Sequence, residues 1–110
     1  MVEILRYIDG SGRDVVGDWL SELRDSRARA KIAARYHRLE HGNFGDCRRL
    51  RDGVCELKID YGPGYRIYYA MLGQVCVLLL CGGDKRTQAA DINRAVENLR
   101  DFERRRSHET

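Results

Sequence analysis

Apolar residues recur along this chain with a period that changes from segment to segment, and each period predicts an element. Val2 to Ile8 is short, apolar and β-branched in part, which predicts a first strand. Asp9-Gly10-Ser11-Gly12 reads as a turn, with Ser11 placed to cap the helix after it. Val15, Val16, Trp19, Leu20 and Leu23 then fall at helical spacing and predict an amphipathic helix to about Leu23. Asp25 or Ser26 caps a second helix whose stripe is Ala28, Ile32, Tyr36 and Leu39, and Gly42 closes it as a C-cap glycine.

Beyond the loop at Asn43 to Asp46 the period becomes two. Arg48 to Arg51 and Val54 to Asp60 predict a hairpin around Asp52-Gly53, a favoured two-residue turn. The Gly62-Pro63-Gly64 break leads to Tyr65 to Leu72, then Gly73-Gln74, then Val75 to Cys81, completing a meander of four antiparallel strands. Alternation puts Cys55, Leu57 and Ile59 on one face, with Glu56 and Lys58 on the other. In the next strand it turns Tyr65, Ile67, Tyr69 and Met71 to the core and leaves Arg66 and Tyr68 on the open face. The last strand is apolar on both faces, as a central strand should be. Thr87 caps a final helix with the stripe Ile92, Ala95, Val96, Leu99 and Phe102, and residues 104–110 read as a frayed tail. The order β-α-α-β-β-β-β-α predicts an α+β fold, its helices packed on one side of an antiparallel-dominated sheet.

A length of 110 residues suits one domain, 1–110. Hydrophobic content of 43% with 34% charged residues excludes a disordered or membrane chain. The longest apolar run, Val75 to Cys81, is far short of the ~20 residues a membrane helix needs, so no membrane association is expected. MVEILRYIDG lacks the basic start and apolar core of a secretory signal, which makes the cytoplasm the expected location. Cys47, Cys55, Cys76 and Cys81 form no CxxC pair and read as structural thiols. His37 and His41 lie four residues apart without a third ligand, and His108 is in the tail, so neither a metal nor another cofactor is expected.

The net charge of +3 conceals a polarised chain. Residues 1–23 carry a net charge of −3, residues 24–51 carry +6, and the remainder is neutral. The basic middle segment suits a polyanion. Lys58 and Arg66 share one strand face, and Lys85-Arg86 follow where the most hydrophobic strand ends. Basic groups from three successive elements, brought to one face, point to a phosphate-rich ligand and so to nucleic acid.

ELKIDYGPGYRIYYA and the later LLLCGGDKRTQAADINRA closely resemble the RelE/ParE toxin superfamily, and within it the HigB-like addiction-module killer proteins. The resemblance spans essentially the whole chain, element order included. It implies a toxin encoded beside a protein antitoxin, with a helix-turn-helix DNA-binding antitoxin as partner. It also implies an endoribonuclease acting on mRNA at the ribosome; some relatives instead poison DNA gyrase.

Metal-free RNA cleavage needs a deprotonated 2′-OH, a stabilised phosphorane and a protonated 5′-oxygen leaving group. Arg66, with a planar and permanently charged fork, suits the phosphorane. Lys58 is either a base, if neighbouring cations lower its pKa, or a second electrostatic clamp. Lys85 can hold a phosphate or protonate the leaving oxygen, and Tyr68 can stack on a base or donate a hydrogen bond. Arg86 and the arginines Arg35, Arg38, Arg48, Arg49 and Arg51 read as contacts to RNA and the ribosome, or equally as a solvated face.

Overall fold

A computed structural model describes residues 1–108 of the chain. Strand β1 (Glu3–Arg6) is followed by helices α1 (Val15–Glu22) and α2 (Ser26–Glu40). Strands β2 (Cys47–Arg51), β3 (Val54–Ile59), β4 (Tyr65–Met71) and β5 (Cys76–Asp84) come next. A single 3₁₀ turn at Lys85–Thr87 then opens directly into helix α3 (Gln88–His108). The five strands form one sheet in the order β1-β5-β4-β3-β2, antiparallel except where β1 joins β5 in parallel.

Local chemistry sets most of the boundaries. The Asp25 carboxylate caps α2 by accepting from the amides of Arg27 and Ala28 at 2.9 and 3.3 Å. Asp52 and Gly53 both take positive φ (53° and 83°), the backbone of a tight hairpin whose twist matches its strands. Two predicted caps move. Asp14, not Ser11, caps α1, with its carboxylate 3.0 Å from the Gly17 amide. Asp84 caps the 3₁₀ turn, so Thr87 lies inside a helical segment and not at its start.

The sheet is covered on both faces, which corrects the one-sided packing expected from the sequence. On one face Val16, Ala28, Ile32 and Leu39 from α1 and α2 pack against Leu57, Ile59, Ile67, Tyr69, Val77 and Leu79. On the other, Ala95, Val96 and Leu99 of α3 pack against Val54, Tyr68, Ala70, Leu78 and Leu80. The doubly apolar β5 demands this arrangement, because each of its faces needs a helix to leave water.

Helix α3 also runs through residues 104–108, which the sequence presents as a frayed tail; positions 109 and 110 lie outside the described residues. Its last turns are tied back to the start of the chain. The Tyr7 hydroxyl donates to Asp101 at 2.5 Å, and Arg105 reaches the same carboxylate at 2.7 Å. Met71, expected in the core, lies at the end of β4 and is 38% exposed. The four cysteines are free thiols; Cys81 is buried, and burial raises its pKa to about 12. No helix among the described residues is long and apolar enough to cross a membrane.

A candidate phosphate-binding cleft

Lys58 and Arg66 are direct cross-strand partners in the β3–β4 ladder, so both side chains leave the sheet on the same face. This is the face that α3 covers farther along, and α3 begins only at Gln88. The near end of the face is therefore left open. A cleft of about 190 Å³ lies there, lined by Asp46, Cys47, Arg48, Glu56, Lys58 and Arg66. Two like charges opposite each other on a sheet repel, an arrangement a bare structural role would not select.

Arg66 is only 5% exposed and its guanidinium is firmly held. Its Nε donates to Glu56 Oε1 at 3.3 Å and its Nη1 to the Gly64 carbonyl at 2.8 Å. Glu56 is itself 2% exposed. Its second oxygen accepts from Gln88 Nε2 at 3.2 Å, and Arg48 Nε approaches Oε1 at 3.9 Å. A guanidinium has five N–H donors, so those that remain on Arg66 are free to meet a ligand.

Lys85 does not line this cleft, but its root lies close by, across Gly64. The Gly64 φ of +79° is a conformation that side chains disfavour, and a Cβ there would lie 3.3 Å from Arg66 Nη1 and 3.7 Å from the Lys85 Cβ. The root of the exposed Lys85 thus stands across this glycine from the Arg66 fork. The Gly82-Gly83 pair at the end of β5 makes room for side chains from the helices. A Cβ on Gly82 would strike the Trp19 ring at 2.3 Å, and one on Gly83 would overlap the Asp91 carboxylate at 1.9 Å. Both glycines are needed for space and neither for a positive φ.

The other predicted site residues divide. Arg48 lines the cleft. Arg38 and Arg49 are exposed, Arg38 beside Lys31 and Asp60 and Arg49 on the edge strand β2. Arg51 is engaged by Asp52 at 2.7 Å and by Asn93. Arg86 is exposed but folded onto Asp84, donating at 3.0 Å, and that guanidinium holds the Asp84 carboxyl below its ordinary value.

Two expectations need correction. Arg35 is buried and donates to the carbonyls of Lys58, Phe44 (3.0 Å) and Asp46 (3.2 Å), stapling the loop before β2 to the end of β3. Burial, followed by the nearby Arg38 charge, lowers its pKa, and its fork is spent on backbone rather than RNA. Tyr68 is 0% exposed beneath α3 and its hydroxyl has no hydrogen-bond partner, so it can neither stack on a base nor reach the cleft. Burial above all, with the Glu56 and Asp91 charges adding to it, pushes its pKa far above the ordinary tyrosine value. Conversely, sequence reasoning passed over Glu56 and Gln88. The signal available was an acidic residue at a strand position between apolar neighbours, on the face of two cations.

An α+β domain with an arginine-centred, mostly basic cleft is the class these features define. Residues 18–100 match the family described as phage derived protein Gp49-like (DUF891), and the chain belongs to it. A Haemophilus influenzae protein described only as uncharacterized is 56% identical over 77 residues, covering 70% of this chain and 78% of that protein. The Gp49-like family is a toxin–antitoxin-associated toxin family related to the RelE/ParE-like toxins, and membership brings with it a cognate antitoxin as partner.

Proposed function

We propose that this chain is the toxin of a type II toxin–antitoxin pair, HigB-like in kind, that cleaves mRNA at the ribosome. The observation that carries the reading is the pairing of Lys58 and Arg66 across β3 and β4 in the cleft, with Arg66 already oriented and the root of Lys85 close by across Gly64. In the reaction the ribose 2′-oxygen attacks the adjacent phosphorus, its proton passes to a base, and the 5′-oxygen departs with a proton. Arg66 stabilises the charge that develops on the phosphorane oxygens, and its fixed donors need little reorganisation to do so. In this reading Lys58, acting as the amine, takes the proton from the 2′-oxygen, and Lys85, as the ammonium, gives one to the departing 5′-oxygen.

The cleft offers two carboxylates against three cations, and one of the two, Glu56, is already committed to Arg66. That balance favours a phosphodiester over a divalent cation, which supports cleavage driven by the side chains themselves. From Arg48 at the cleft wall, exposed Arg49 and Arg38 extend the basic surface along β2 and α2, where a longer RNA or the ribosome would lie.

The test is to induce the chain alone in cells and map an abundant transcript by primer extension, beside an Arg66→Ala control. Cuts within translated codons are expected, with a loss of about 100-fold or more in the control. Growth arrest with intact mRNA would overturn the reading and bring the gyrase-poisoning alternative forward.

A further inference from the structure

We propose that Glu56 is a positioning residue, which aims the Arg66 guanidinium at the phosphate and is itself held by Gln88 at the first position of α3. The inference rests on the nuclease reading of the same cleft and assigns a role to two residues outside the set of cations.

The geometry supports it at each step. Glu56 lies on β3 two residues before Lys58 and is the direct cross-strand neighbour of Tyr68. Its carboxylate is almost fully removed from water, an expensive position unless both oxygens are satisfied. Both are: Arg66 Nε takes Oε1 at 3.3 Å, and Gln88 Nε2 takes Oε2 at 3.2 Å. The Gly64 carbonyl holds Nη1 from another direction at 2.8 Å. Two acceptors fixed in different strand and turn segments define the plane of the guanidinium. The donors on its far side are then set before any ligand arrives.

Charge alone does not explain the arrangement. A buried carboxylate beside Arg66 weakens the attraction of the cleft for phosphate, so a site selected only for affinity would omit it. Orientation is what the pairing adds, and orientation acts on rate. The role of Gln88 follows from its place. It is the first residue of α3, so packing of that helix on the sheet fixes where the Glu56 carboxylate lies.

A rate that falls while affinity is kept separates positioning from general damage. We would follow single-turnover cleavage of a short mRNA on programmed ribosomes, with RNA affinity and thermal midpoint measured on the same preparations. Glu56→Ala is expected to lower the saturating rate by about 10- to 100-fold while affinity stays or improves. Glu56→Gln keeps an acceptor for Arg66 Nε, and Gln88 can turn its amide to accept, so its rate should lie within about threefold of the parent. Gln88→Ala, at a half-exposed position, should lose about threefold or more in rate while RNA affinity is kept, with the midpoint lowered by the lost partner of Glu56 Oε2.

An activity-independent readout accompanies these. The Arg66 Nε–H proton, assigned by its loss in Arg66→Lys, should resist solvent exchange in the parent and in Glu56→Gln but not in Glu56→Ala. Parental rates in Glu56→Ala or Gln88→Ala would overturn the inference, as would an Arg66 Nε–H proton that exchanges freely in the parent. Rate and affinity falling together in Gln88→Ala would overturn it as well. A parent protein that leaves the mRNA intact would instead overturn the nuclease reading itself, whatever the state of that proton.

Discussion

Tyr68 and Arg66 are two positions apart on β4 and share a face, yet one is core and the other is the centre of the cleft. The difference lies in what covers each. Over Tyr68 the stripe of α3 closes with Ala95, Val96 and Leu99, whereas α3 has not begun where Arg66 emerges. A buried hydroxyl without a partner costs about 1–3 kcal/mol relative to a group that needs none. Tyr68→Phe should therefore raise stability by about 1 kcal/mol in denaturant unfolding and leave RNA cleavage unchanged. A loss of cleavage in that variant would return Tyr68 to the site. Arg35 makes the same point from the opposite side, since a cation read as an RNA contact is consumed by three carbonyls.

Between elements, the connections carry as much of the site as the strands. The turn from β3 to β4 holds Gly64 at positive φ with Arg66 Nη1 against it, and the Gly82-Gly83 pair lets Trp19 and Asp91 close on β5 from opposite faces. Gly64→Ala should cost about 1–2 kcal/mol from its backbone conformation alone. It should also slow cleavage, because the new Cβ presses on the Arg66 fork at 3.3 Å. Gly42→Ala is the matched control. Its φ is +84° with nothing within 4 Å of the added carbon, so it should share the stability loss and spare the activity. Equal rates in the two variants would show that pressure on Arg66 is without consequence.

At the scale of the whole molecule, several ties between distant segments depend on ionised aspartates. The Tyr7 hydroxyl, followed by Arg105, holds the Asp101 carboxyl below its ordinary value of 3.8, joining α3 to the segment after β1. The Tyr61 hydroxyl, with the capped amides of α2, does the same for Asp25, and within one turn Arg86 lowers Asp84 in the same way. A carboxyl whose folded pKa is depressed contributes stability that is complete above its unfolded pKa and is lost as pH falls through the folded one. Thermal midpoints should therefore be level from neutral pH down to about pH 4 and decline below it. Asp101→Asn should lower the plateau and make the decline shallower. A decline that begins near pH 6 would point to other groups.

The sequence alone determined what depends on neighbours along the chain. Period-two alternation put Lys58 and Arg66 on one face, the Asp52-Gly53 pair fixed the hairpin, and Asp25 or Ser26 marked the start of α2, because a strand's parity, a turn's φ values and a cap are local properties. Only the tertiary structure decided which faces are covered. The parallel insertion of β1 beside β5, the closure of α3 over Tyr68 and the capture of Arg35 all join segments whose pairing is not encoded by spacing. Glu56 belongs with these. Its place in the sequence shows a carboxylate on a strand, but its function as proposed comes from Arg66 ten residues later and Gln88 thirty-two residues later. Burial, unlike periodicity, is settled by what arrives from elsewhere in the chain.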